Sequence, residues 1–116
     1  MLKKRNRISK RKEIDEVKNK GRMFQSPLFG FVWLKKDDTE KKMTWIISKK
    51  ISKKAVERNK IKRVLAELLR KNWEEVPEGT RGIYLVKRNL AGSTSEKIEE
   101  ELQRGLKSIN NEKNRA

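Results

Sequence analysis

The sequence contains no cysteine and no histidine among its 116 residues. Without cysteine there is no disulfide, no thiolate metal site and no thiol nucleophile. Without histidine the commonest general base is missing, and a metal site would need carboxylates alone. These two absences exclude most familiar catalytic sites. The absence of cysteine also fits a reducing cytoplasm, where we expect the protein to act.

Long apolar runs are missing as well. No segment approaches the ~20 residues of a membrane span, so we expect no membrane partner. The basic opening, residues 1–5, is not followed by the apolar core of an export signal. Only 34% of residues are apolar and 41% are charged, but the apolar residues form periodic clusters. We therefore expect a single domain over 1–116, with a flexible basic N-terminus over about 1–8 and a polar tail over about 110–116.

Acidic residues are scarce relative to basic ones, and the net charge is +16. Residues 1–20 hold nine basic and three acidic residues, and residues 49–71 hold ten basic and two acidic. These two segments therefore carry fourteen of the sixteen net positive charges. A charge this large opposes folding through self-repulsion. Its concentration favours a surface that binds a polyanion such as nucleic acid.

The apolar periodicity predicts three helices and four strands. The helices cover about 10–20, 52–72 and 93–109; the strands cover 22–24, 28–34, 43–48 and 81–86. Ser9, Ser52 and a capping box of Ser93 with Glu96 are the predicted helix caps. Residues 36–40 are predicted to be a hairpin loop between the second and third strands. The order favours an α+β sandwich in which three helices pack on a small mixed sheet.

Phe29, Phe31 and Trp33 alternate along one strand and are expected in the core, although an RNA-stacking platform is the open alternative. The opposite face would carry Val32, Ile46 and Ser48. Acidic residues that suggest a metal cluster are instead expected in solvent. They are Asp37, Asp38 and Glu40 in a loop, and Glu96, Glu99, Glu100 and Glu101 on the last helix.

The second helix is predicted to be amphipathic. Its buried side holds Ile61, Val64, Leu65 and Leu68, and the opposite stripe holds Asn59, Arg63, Ala66 and Arg70, flanked by Lys60 and Lys62. Arg58 and Lys62 are a like-charged i,i+4 pair, which costs about 0.2–0.5 kcal/mol. Phosphate groups would reverse that penalty, since Arg and Lys bind phosphate.

Residues 58–63, Arg-Asn-Lys-Ile-Lys-Arg, resemble the RNR signature of bacterial ribonuclease P proteins. The preceding Ser48-Lys49-Lys50, the opening over residues 2–7 and Gly21 after the first helix also resemble that family. The resemblance implies a ferredoxin-like fold of the ribosomal S5 domain 2 type. Its order is α-β-β-β-α-β-α, with a four-stranded mixed sheet and a left-handed crossover.

The same resemblance implies a protein subunit that assists a catalytic RNA in removing the 5′ leader of precursor tRNA, with 1:1 stoichiometry. Mg²⁺ would be bound mainly by the RNA, and the protein would hold no catalytic residue. The implied RNA-binding residues are Lys49, Lys50, Lys53, Lys54, Arg58, Asn59, Lys60, Lys62 and Arg63. The implied leader cleft contains Arg11, Ile14, Lys18, Val32, Ile46 and Ser48.

Three features depart from the family pattern. Ile14 and Lys18 stand where aromatic residues are common, the loop at residues 52–54 is one residue longer, and Ala66 replaces a common arginine. Three other functions remain open. A structural RNA binder of ribosomal type has the same composition; an unaided nuclease would need an acid–base or metal site; a DNA-binding protein would need a recognition helix.

Overall fold

The computed structural model describes residues 3–48 and 50–114. The helices are α1 (Arg11–Lys20), α2 (Ala55–Lys71) and α3 (Ser95–Asn114), and the strands are β1 (Arg22–Gln25), β2 (Phe29–Lys35), β3 (Lys42–Ile46) and β4 (Thr80–Val86). Short 3₁₀ turns cover Lys4–Asn6, Trp73–Glu75 and Leu90–Gly92. The predicted α-β-β-β-α-β-α order is confirmed. α3 continues to Asn114, where a polar tail was expected from residue 110.

The sheet has the strand order β1-β2-β4-β3. β1 and β4 both pair with β2 in antiparallel fashion, and β3 pairs with β4 in parallel. The chain therefore crosses over from β3 through α2 to the parallel strand β4. The predicted hairpin between β2 and β3 is wrong, because β4 lies between these two strands.

The loop between β2 and β3 is held by β4 and by the turn before it. The Lys36 N–H donates to the Gly79 carbonyl at 2.8 Å, and the Gly79 N–H donates to the Glu40 carbonyl at 2.7 Å. The buried Arg81 guanidinium donates to both carboxylate oxygens of Asp38, at 2.6 and 3.2 Å. Asp38 and Glu40 are thus ion-pair partners of Arg81, and their role in the loop is to anchor it across β4.

One face of the sheet forms the main core with α2 and α3. Phe29, Phe31 and Trp33 are buried there, so their predicted core role is confirmed. Phe31 stacks on Tyr84 with 4.3 Å between ring centroids, and the Tyr84 hydroxyl donates to the Leu102 carbonyl at 2.7 Å. The apolar residues of α3, Ile98, Leu102, Leu106 and Ile109, are all buried in this core.

The other face carries α1 over a smaller cluster of Ile8, Val17, Val32 and Ile83. α1 ends at Gly21, as predicted, and passes directly into β1. A Cβ at Gly21 would lie 2.4 Å from the Val17 carbonyl oxygen and 2.7 Å from that of Trp33. Only glycine allows this close approach between the end of α1 and β2.

The segment before α1 packs against the edge of the sheet. Arg7 forms a parallel bridge with Met43, and the Ile8 N–H donates to the Met43 carbonyl at 3.1 Å. Ile8 is buried, and the Arg7 guanidinium lies 5.4 Å from the Trp45 ring centroid. Residues 7 and 8 therefore differ from the flexible terminus that was expected there.

Two predicted caps lie at other residues. α1 begins after Lys10, without a side-chain cap, so Ser9 is not its cap. α3 is capped by Thr94, whose hydroxyl oxygen accepts the Lys97 N–H at 3.2 Å, and Ser93 precedes this position. In both cases the cap position lies one residue later than the sequence indicated.

Glu101 is buried at 1% exposure, although it was expected in solvent. Its Oε1 accepts the Leu28 N–H at 2.8 Å, so α3 is tied to the turn before β2. Glu99 is half-buried and accepts hydrogen bonds from Asn72 and Lys71 at 3.0 and 3.3 Å. No helix within the described residues is long and apolar enough to cross a membrane.

Candidate RNA interface

α2 and the loop before it present most of the predicted RNA-binding side chains to solvent. The exposed members of the set are Lys50, Lys53, Lys54, Asn59, Lys60, Lys62 and Arg63. Lys49 lies outside the described residues. Arg58 is half-buried, and its guanidinium donates to the Ser52 carbonyl at 2.8 Å. Part of Arg58 therefore holds the loop before α2, while its neighbours are free to contact a ligand.

Ser52 organises that loop without being the helix cap, because α2 begins after Lys54. The buried Ser52 hydroxyl donates to the Glu57 carboxylate at 2.6 Å and accepts the Lys54 N–H at 3.3 Å. The hydrogen bond from Ser52, followed by one from Asn89, lowers the pKa of Glu57. The loop that carries Lys50, Lys53 and Lys54 is thus fixed to the first turn of α2.

Acidic side chains on α2 leave the basic stripe unneutralised. Glu67 pairs with Arg70 at 2.8 Å, three residues along the helix. Within the described part of the chain, Lys60, Lys62 and Arg63 form no ion pair within 4.0 Å. Such unpaired cations on one helix face are suited to a run of phosphates.

Ala66 is buried at 1% exposure, so its predicted place on the solvent stripe is wrong. A helical projection gives only the angular position of each side chain around the helix axis. Because α2 packs against α3, the Leu90–Gly92 turn and the sheet, its buried face is wider than the projection indicates. Val64, predicted on the buried side, is only half-buried. The absent arginine at residue 66 therefore removes no exposed group from this surface.

The two flanks of α1 have different partners. On one flank Glu16 pairs with Lys36 at 2.7 Å and Glu13 lies 3.8 Å from Arg81. The other flank carries Arg11, Ile14 and Lys18 at i, i+3 and i+7 spacing, which places them on one face. Arg11 and Lys18 are exposed, and Ile14 packs at the margin of the small cluster.

That second flank borders an open part of the sheet. Ile46 and Leu85 are half-buried against the same cluster as Ile14, and Ser48 is exposed just beyond β3. Val32 is only 3% exposed, because α1 and Gly21 cover it. Its predicted contact with a ligand is therefore wrong, and Val32 supports the cleft from below.

The floor of this cleft is one row across the sheet: Ile46 pairs with Leu85, Leu85 with Gly30 and Gly30 with Gln25. A Cβ at Gly30 would lie 3.5 Å from the Gln25 side-chain oxygen and 3.6 Å from the Met23 sulfur. Met23 is 51% exposed. Sequence reasoning missed Gly30, Leu85 and the β1 side chains, since only the strand register brings them together.

Comparison with known proteins decides the family. Residues 2–110 match the family described as Ribonuclease P. The Ribonuclease P protein component of a Nitratiruptor species is 31% identical over 106 residues, which cover 91% of this chain and 94% of that protein. The chain belongs to the ribonuclease P protein family.

Solved structures share the fold. The RNase P protein from Thermotoga maritima superposes with a TM-score of 0.80 at 23% identity, covering 90% of this chain and 97% of that chain. A Staphylococcus aureus RNase P protein mutant with defective mRNA degradation activity gives 0.81 at 23% identity, covering 90% and 88%. The α+β sandwich with its four-stranded mixed sheet is therefore the fold of ribonuclease P proteins.

As a ribonuclease P protein, this chain is a subunit of an RNA-processing enzyme, and its surface fits an RNA-binding role. The longer loop at residues 52–54 is accommodated, because Ser52 is buried and Lys53 and Lys54 are turned outward. No group of three or more His, Cys, Asp or Glu among the described residues could hold a metal ion. The protein's own donors thus offer no multi-carboxylate metal centre there.

Proposed function

We propose that this subunit binds the catalytic RNA of ribonuclease P through α2 and holds the single-stranded 5′ leader of precursor tRNA beside α1. The observation that carries the proposal is the exposed part of the α2 stripe, namely Asn59 and Arg63 with the flanking Lys60 and Lys62, whose three cations form no ion pair within the described residues. A second basic flank, on α1, borders an open sheet surface. In this proposal the α2 surface contacts the RNA subunit, and the α1 surface contacts the leader.

The electrostatics of α2 support an RNA partner. Lys53 and Lys54 stand at the positive end of the helix dipole, where cations are unfavourable. Arg58 and Lys62 repel each other across one turn. Bound phosphates would neutralise both effects, so the surface gains more from binding RNA than from solvent alone.

The cleft supports a single strand that is bound mainly by charge. Ile14, Ile46 and Leu85 offer apolar contact, while Arg11 and Lys18 stand at the rim. An aromatic platform typically contributes about 1–3 kcal/mol per stacked base. Ile14 and Lys18 provide no aromatic ring, so the leader should bind with little base preference.

Cleavage of the phosphodiester bond is assigned to the RNA subunit, which would supply phosphate and base ligands for Mg²⁺. The cation is then held mainly outside this chain, and the protein contributes position and charge. We expect one protein per RNA subunit, acting in the cytoplasm.

Reconstitution with the RNA subunit tests this function. Cleavage of precursor tRNA by protein plus RNA is compared with each component alone, and native mass spectrometry gives the stoichiometry. Faster leader removal by the 1:1 complex is expected. A protein of ribosomal type would bind RNA without accelerating cleavage, and an unaided nuclease would cleave without the RNA subunit; either result would overturn the proposal.

Variants then test the stripe. The triple change Asn59→Ala, Lys62→Ala and Arg63→Ala should leave the fold intact and weaken RNA affinity roughly tenfold or more, where tenfold corresponds to about 1.4 kcal/mol. Leu65→Ala serves as the contrasting variant, since it should cost about 2–5 kcal/mol of stability instead. A folded triple variant with unchanged affinity would show that RNA binds elsewhere.

A further inference from the structure

A cavity of about 270 Å³ lies between α2 and the beginning of α3, beside the stripe, with which it shares Lys60. Its floor is aliphatic and consists of Ile61, Val64, Leu90 and Ile98. Its rim is polar and consists of Lys60, Ser93, Thr94 and Ser95. Among the residues that the structure describes, no acidic side chain lines it, so the cavity combines an apolar floor with one cation and three hydroxyl groups.

The cavity is continuous with the surface that we assign to RNA. An adjoining groove along α2 is lined by Lys60, Arg63, Val64, Glu67, Leu68 and Ser95, and its acidic member, Glu67, is paired with Arg70. Lys60, Val64 and Ser95 thus belong to both depressions. An RNA strand whose phosphates lie on Lys60 and Arg63 would pass the mouth of the cavity.

The chemistry of the lining selects the occupant. A flat base can occupy an aliphatic floor through van der Waals contact, while its sugar and phosphate need donors such as hydroxyl and ammonium groups. Within the described residues, the Ser93 and Ser95 hydroxyls form no hydrogen bond, so both are available to a ligand. Ligand pockets usually exceed about 300 Å³, so this one suits a single base better than a larger ligand.

We propose that this cavity receives one unpaired nucleotide of the RNA subunit, with its base on the aliphatic floor and its phosphate at Lys60. The inference rests on the proposed RNA-binding function and adds a specific contact to it. Phosphates on the stripe give affinity irrespective of sequence, whereas a base inside the cavity requires an unpaired nucleotide at one position. The cavity therefore fixes the register of the RNA on α2.

Crosslinking locates the occupant directly. Because the chain has no cysteine, Ser93→Cys provides a single attachment point for a photoactivated crosslinker at the rim. Thr39→Cys, in the exposed loop between β2 and β3, is the matched control. In the reconstituted enzyme, the residue 93 probe should crosslink to one unpaired nucleotide or its immediate neighbours, and the residue 39 probe should not. Crosslinks to a second protein molecule, or none in an active complex, would overturn the inference.

Filling the cavity tests its contribution. Val64→Trp should occlude the floor and weaken affinity for the RNA subunit roughly tenfold, while Thr39→Trp should leave it unchanged. Ser95→Trp is at an exposed rim position and serves as a second occluding variant if Val64→Trp fails to fold. Unchanged affinity in a folded occluding variant would refute the cavity contact but leave the proposed function standing. A wild-type chain that neither binds nor activates the RNA would refute both.

Discussion

Glu101 illustrates how a single residue can connect distant parts of this fold. Burial raises the pKa of its carboxyl, but the Leu28 N–H and the nearby Ser26 and Lys97 side chains outweigh that effect, so the pKa is lowered overall. Lys97 lies 3.6 Å from the second carboxylate oxygen. The ionised form is therefore the one that the folded protein stabilises.

Replacing Glu101 by Ala should destabilise the protein by about 1.5–3 kcal/mol, because the Leu28 N–H loses a charged acceptor. Since the folded-state pKa lies below the unfolded one, this contribution is present above the unfolded pKa and is lost as the pH falls through the folded pKa. Urea unfolding of wild type and Glu101→Ala at neutral and acidic pH measures it. Glu100→Ala, at an exposed position, should change stability by less than about 0.5 kcal/mol. Equal effects of the two changes would contradict the role of Glu101.

Glycine is required at the end of α1 and dispensable at another site in the chain. Gly21→Ala places a methyl group against two backbone carbonyls, which cannot move independently. It should cost about 1–3 kcal/mol, as overpacking does. Gly92 has nothing within 4 Å of an added Cβ, so Gly92→Ala should be close to neutral. Thermal unfolding of both variants is the measurement. Comparable losses of stability in the two variants would show that the close contacts at Gly21 do not require glycine.

At the scale of the element, the two flanks of α1 have different partners. Glu13 and Glu16 form ion pairs with Arg81 and Lys36, so this flank of α1 stabilises the fold. The other flank, with Arg11, Ile14 and Lys18, borders the cleft. Leader binding should therefore respond to changes on this flank alone.

Replacing Ile14 and Lys18 together by Phe should tighten binding of precursor tRNA relative to mature tRNA. Two aromatic rings can stack leader bases, each contributing up to about 1–3 kcal/mol. The salt dependence of leader binding should fall, because one cation is removed. Lys12→Phe, on the opposite flank, has the same charge change as Lys18→Phe and should not improve leader binding. If wild type fails to prefer the leader-bearing tRNA, the cleft is not a leader site; if only the Phe variant has no effect, stacking is excluded.

The elements themselves were predictable because each depends on local pattern. Ile61, Leu65 and Leu68 repeat at helical spacing, and all three are buried in α2 as predicted. The insertion of β4 between β2 and β3 was not predictable, because a short polar loop is compatible with a hairpin. Only the ion pair between Arg81 of β4 and Asp38 shows that the loop passes over the end of β4. Long-range pairing depends on contacts between residues far apart in sequence, which no local window contains.

The candidate RNA interface was likewise predictable only where it depends on local sequence pattern. Exposed basic residues of α2 follow from the periodicity and the family resemblance. By contrast, the burial of Ala66 and Glu101 depends on neighbours supplied by other elements. The cleft floor at Gly30 and Leu85 depends on strand register, which shifts every side chain to the opposite face if it changes by one residue. Those residues could be found only from the tertiary structure.

For the whole molecule, the net charge of +16 links folding to binding. The domain has a radius of gyration of 13.5 Å. Like charges on it repel one another over a Debye length of about 8–10 Å. A polyanion relieves that repulsion and releases its own counterions at the same time. Both contributions decrease as salt screens the charges.

Affinity for the RNA subunit should consequently fall steeply with salt concentration. Each neutralised phosphate adds about −0.7 to −0.9 to the slope of log K against log salt, so roughly five neutralised phosphates would give about −3.5 to −4.5. Arg63→Ala should make the slope shallower by about 0.7–0.9, because one phosphate contact is lost. Lys107→Gln is the matched control, since Lys107 is exposed on α3 near Glu74 and Glu75 and should not contact RNA. Fluorescence titrations at several salt concentrations give the slopes. A flat dependence in wild type would mean that phosphate contacts do not dominate binding, and an equal change in both variants would mean that the charge acts globally and not through α2.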